Sequence, residues 1–113
     1  MLILSLLLNI AVTFTVAATL FTARRGDAPF GPDTPARRIL ACIYVTIGGA
    51  SLVFLALILV GQREAAIAGA VTLLSVQIAY KLGTLLAVGP WNPVVLSNLA
   101  IAAVHGVTLA TLL

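Results

Sequence analysis

The alternation of apolar and polar positions divides the chain into four long apolar runs with short polar breaks between them. The first run covers residues 2–23, LILSLLLNIAVTFTVAATLFTA. As a helix it would rise roughly 33 Å, enough to cross a hydrocarbon core of about 30 Å. The others cover 35–60, 64–88 and 93–113, each long enough for one crossing. The expected fold is all-α: one domain over 1–113, an integral membrane bundle of four transmembrane helices, with the segment 24–34 as the one substantial loop.

The breaks carry start and stop signals. Thr34-Pro35 and Asn92-Pro93 each place a capping side chain before a proline at the first helical position. Gly26, Gly61 and Gly89-Pro90 stop the helices before them. The turn GQRE at 61–64 is short, so the second and third helices are antiparallel neighbours. Glu64 falls in the first turn of the third helix and reads as a solvated cap. Trp91 sits at a helix boundary and reads as an interface anchor.

Composition agrees. The chain is 62% hydrophobic and 8% charged, with mean hydropathy +1.22. A water-facing surface needs several times more charge. The net charge of +3 does not point to nucleic acid, because the arginines lie at helix ends, where topology accounts for them. Arg24, Arg25, Arg37 and Arg38 bracket the first loop and make it cytoplasmic by the positive-inside rule. Both termini are then outside, on the periplasmic side. The first run is not expected to be a cleaved signal: its cations follow it and its apolar part is too long. The arginine-rich, alanine-rich composition suggests a bacterial source, hence a multi-pass protein of the inner membrane. The lone Cys42 lies in an apolar run and is expected to be a buried, inert thiol.

Few residues are left for chemistry. Lys81 is the only lysine and lies inside the third helix, in Gln77-Ile78-Ala79-Tyr80-Lys81. His105, the only histidine, lies inside the fourth. Residues equidistant from Trp91 share a depth in this hairpin, which pairs Gln77 with His105 and Thr84 with Asn98. Gln77, Lys81 and Thr84 share one helix face, and Asn98, Ala102 and His105 share another. If those faces meet, a polar seam holds the hairpin in register.

Snorkelling toward the interface is the simplest account of Lys81; a buried cation that binds an anionic substrate or moves protons is the sharper one. His105 is expected to be neutral and bonded to Gln77 or a hydroxyl. Small neighbours give it a second option, one axial ligand to a haem or chlorin. Asn9, with Ser5 and Thr13, makes a smaller polar face able to bond across helices. Thr15, Thr19 and Thr22 are expected to bond their own backbone. The binding candidates are therefore Lys81, Gln77, His105, Asn98, Tyr80 and Asn9. No metal site is expected.

In length and helix count alone the chain resembles the small multidrug resistance exporters. Those depend on a glutamate in the first helix, and residues 2–23 contain no acid. Cation–proton exchange of that kind is not expected; a small oligomeric transporter or channel using Lys81, Gln77 and His105 is the alternative reading. Paired carboxylates and a nucleophile with a base are missing from the helices, so an enzyme is not expected. The leading expectation is a non-catalytic membrane subunit. Its partners would be the lipid bilayer and other membrane subunits or copies of itself, with no nucleic acid. Small residues at Gly48–Ser51 and at Ala65, Ala66, Gly69 and Ala70 mark helix contacts.

Overall fold

A computed structural model describes residues 1–22 and 30–113. Among the described residues lie four long helices: α1 (Leu2–Phe21), α2 (Pro35–Leu59), α3 (Arg63–Val88) and α4 (Pro93–Leu112). All four are long and apolar enough to cross a membrane. The expected spans 2–23, 35–60, 64–88 and 93–113 agree with these to within two residues at either end. The stop at Gly26 lies outside the described residues, as do Arg24 and Arg25.

The helix ends follow the local chemistry. The Arg37 backbone N–H donates to Thr34 Oγ1 at 3.3 Å, and the Val94 N–H to Asn92 Oδ1 at 2.8 Å. A proline follows each cap, where its missing N–H costs nothing. Gly61 and Gly89 have φ of +84° and +95°, which an L side chain rarely adopts. Glu64 lies exposed in the first turn of α3.

The helices pack as an up-and-down bundle, α1 on α2, α2 on α3, α3 on α4, with α4 returning to α1. The long axis is 43 Å, close to the full thickness of a bilayer at about 40–45 Å. Two apolar clusters close the ends. Ala17, Leu20, Ala41 and Tyr44 pack together at the end carrying the 24–34 loop. Leu2, Leu6 and Ala70 pack at the other, against Phe54 and Leu112. The small residues serve two of these contacts: Gly48 lies against Thr13 and Phe14 of α1, and Gly69 against the Phe54 ring. Thr15, Thr19 and Thr22 bond back to Ala11, Thr15 and Ala18 carbonyls, as expected.

One expectation fails here. Cys42 is not buried; it is exposed on the outer face of α2. The inward face of α2 follows Ala41, Tyr44, Ile47, Gly48 and Ser51, and Cys42 falls beside that phase. Arg37, read from the sequence as a topology cation, is buried in the bundle, at 3% exposure. Its Nε donates to the Leu20 carbonyl at 3.1 Å, Nη1 to Gly31 at 2.7 Å and Nη2 to Thr22 at 3.2 Å. The last carbonyls of a helix have no intrahelical partner. A side chain on α2 thus closes the end of α1. Arg38, one residue on, is exposed and binds both carboxylate oxygens of Asp33, at 3.1 and 2.7 Å. That hydrogen bond holds the Asp33 carboxyl below the usual carboxylate range. At such exposure the pair adds little to stability.

Candidate functional site

The buried polar residues sort into two groups rather than one seam. The first joins α1, α2 and α4 near mid-depth. His105, fully buried, has Nε2 at 3.0 Å from Asn9 Oδ1 and Nδ1 at 3.2 Å from Ser5 Oγ. Asn9 Nδ2 donates to Ser51 Oγ at 3.2 Å, and the Ser51 hydroxyl donates to the Ile47 carbonyl at 2.9 Å. Ser5 Oγ also lies 2.6 Å from Thr108 Oγ1.

A neutral imidazole with its proton on Nε2 donates to Asn9 Oδ1 and accepts at Nδ1 from Ser5. The single Thr108 hydroxyl proton is then shared between Ser5 Oγ and the Val104 carbonyl, at 2.6 and 3.0 Å. Water is scarce in a bundle interior, so such groups must find each other. The arrangement suits a lock holding three helices at a fixed rotation.

This corrects the expected pairing of Gln77 with His105. Equal depth does not fix direction: His105 and Thr108 face α1, whereas Asn98 faces α3. Gln77 is buried at 1% exposure, and neither its amide oxygen nor its nitrogen has a hydrogen-bond partner among the described residues. A buried amide without partners costs about 1–3 kcal/mol. Gln77→Leu is therefore expected to be neutral or to stabilise the bundle by about 1 kcal/mol in reversible unfolding from micelles. A loss of stability instead would reveal a partner that this geometry lacks.

The second group lies toward the 24–34 loop and is built on α3 and α4. Lys81 does not snorkel: it is 2% exposed, and its Nζ donates to Asn98 Oδ1 at 3.0 Å. Its position on the inward face of α3, in phase with Ala70, Leu74 and Gln77, points it across the bundle instead of along it. Asn98 Nδ2 donates to Thr84 Oγ1 at 3.3 Å, so the expected level pairing of those two residues is present. Thr84 in turn donates to the Lys81 carbonyl at 2.6 Å. The Lys81 ammonium also lies 5.1 Å from the centre of the Tyr80 ring, within cation–π range. The Tyr80 hydroxyl is buried and has no hydrogen-bond partner among the described residues. Beside this group run two cavities, of about 190 and 320 Å³, that share Phe30, Tyr44, Val94 and Asn98.

Of the six candidates, Lys81, Asn98 and Tyr80 come together; Asn9 and His105 form the separate lock; Gln77 joins neither. Sequence reasoning missed Ser51, read only as a small packing residue, and Thr108, which it did not single out. The signal for Thr108 is its spacing three residues after His105, which puts both on one face. Tyr44, at 5% exposure, was hidden among apolar neighbours.

The arrangement limits the chemistry. Both nitrogens of His105 are engaged inside the chain, so axial ligation of a haem or chlorin would break the lock. Among the described residues no three His, Cys, Asp or Glu side chains gather where a metal ion could bind. Comparison with known protein families, characterised proteins and solved structures returned no match.

Proposed function

We propose that the chain is a small, non-catalytic integral membrane protein that packs as a helical subunit against further membrane helices, in a larger complex or a homo-oligomer. The observation that carries this reading is the outer face of α3. Ala65, Ala68, Thr72, Ser75, Ala79 and Gly83 are all exposed. Their spacing of three and four residues puts them on one stripe, opposite the buried stripe of Ala66, Ala70, Leu74, Gln77 and Lys81. Val76, Leu82 and Leu86 are large side chains exposed beside them. The outer face of α2 carries more large side chains, with Ile39, Ile43, Val45, Leu52, Val53, Leu59 and, at its C-cap, Val60 exposed. Large side chains suit lipid. A stripe of small ones lets another backbone approach closely and gains packing that lipid does not supply.

The lock supports the non-catalytic part of the reading, because its hydroxyls, amide and imidazole are occupied with one another. Photocrosslinking from α3 in intact membranes tests the contact face, as set out at the close of the Discussion. The same reading places the protein in the inner membrane with the 24–34 loop cytoplasmic and both termini outside. It rests on the four arginines around that loop. A cysteine placed at Asp33, in a Cys42→Ser background, should resist an impermeant thiol reagent in intact cells and react after lysis. Labelling in intact cells would reverse the orientation.

A further inference from the structure

The cavity beside Lys81 lies between α1 and α4. Val12 and Val16 of α1 form one wall, and Val94, Asn98 and Ile101 of α4 the other. From mid-depth toward the other end of the bundle, Ser5, Asn9, His105 and Thr108 draw the same two helices together. Toward the loop, no hydrogen bond joins them among the described residues, and a space of about 190 Å³ takes its place. Pro93 and Ser97 line it and are exposed, so the space opens on the outer surface between the helices.

Lys81 lines this space with donors to spare. A lysine ammonium has three N–H groups. Asn98 Oδ1 accepts one. Asn98 and Thr84 are themselves committed, to Thr84 and to the Lys81 carbonyl. No carboxylate pairs with the ammonium among the described residues, where the ion pair recorded is the distant Arg38–Asp33. An ammonium held away from water is stabilised by an opposite charge, and one cation matches one negative charge.

Depth and walls narrow the anion. Lys81 stands seven residues before the end of α3, or about 10 Å along its axis. A free hydrated ion at that depth would have to shed its water against a mostly apolar lining, in which Tyr44, Ser97 and Asn98 are the polar members beside Lys81. An anion carried on an apolar body would not. We infer that the cavity binds the carboxylate of a long-chain fatty acid, the head at Lys81 and the acyl chain leaving between α1 and α4. A carboxylate is a compact, singly charged head, and it offers Lys81 the acceptors it lacks. This site is independent of the subunit reading and survives its failure.

The single lysine makes the test direct. Isotopically labelled lysine incorporated in the full chain gives one side-chain signal for NMR in maltoside micelles. Palmitate is expected to shift the Lys81 signal saturably, while methyl palmitate and acetate at equal concentration leave it in place. In native mass measurement, wild type is expected to retain palmitate and Lys81→Met to lose it. The wild-type titration stands whether or not that variant folds. The inference is overturned by an unmoved signal with palmitate, by an equal shift with acetate or methyl palmitate, by a shift with phosphatidylglycerol in place of palmitate, or by full retention in Lys81→Met.

Discussion

Replacing Arg37 with leucine is expected to cost the bundle about 3 kcal/mol, the largest loss of any single substitution considered. The guanidinium donates to three backbone carbonyls, of Leu20, Thr22 and Gly31. Hydrogen bonds from a charged donor contribute about 1.5–3 kcal/mol each, and water at the bundle end would replace part of them. Leucine fills some of the volume but donates nothing. Arg37→Lys should recover only a fraction, because an ammonium lacks the planar fork that reaches three acceptors at once. The measurement is reversible unfolding in mixed micelles. A loss below about 0.5 kcal/mol would mean that water takes over these carbonyls without cost.

Asn9→Leu is expected to cost about 2 kcal/mol, more than an average hydrogen bond between membrane helices at about 0.6. Asn9 accepts from His105 and donates to Ser51, so its removal strands partners on two other helices. An orphaned buried donor carries its full desolvation penalty. His105→Phe should cost a similar amount, since it strands Asn9 and Ser5. The double variant should cost less than the sum of the two by about 1 kcal/mol, because the groups left unpaired are largely the same. Strict additivity would mean that the two side chains do not act together.

The helices themselves were readable in the sequence. Thr34-Pro35, Asn92-Pro93, Gly61 and Gly89 act through local backbone chemistry, which sequence carries directly. The depth rule also held for Thr84 and Asn98, because α3 and α4 are joined by a short turn. It failed for Gln77 and His105, where rotation about the helix axis matters as much as depth. His105 meets α1, ninety-six positions away in the chain, and nothing local announces that contact. Arg37 held more than the sequence announced, for a related reason. A cation at a helix start reads as a topology signal, and its bonds to the Leu20 and Thr22 carbonyls depend on where α1 ends. Lys81 was visible as an anomaly, and its burial was not, since snorkelling and crossing the bundle use the same long stem.

What the two polar groups leave undecided is carried by the outside of the bundle. The stripe from Ala65 to Gly83 faces away from the other described helices. The most direct measurement places a photoreactive benzoylphenylalanine at Ala79, and separately at Val45, which is 41% exposed on α2. Irradiation is done in intact membranes. The account predicts a protein crosslink from position 79, heavier than the 11.7 kDa chain, and lipid adducts alone from position 45. Lipid adducts alone from both positions would contradict it.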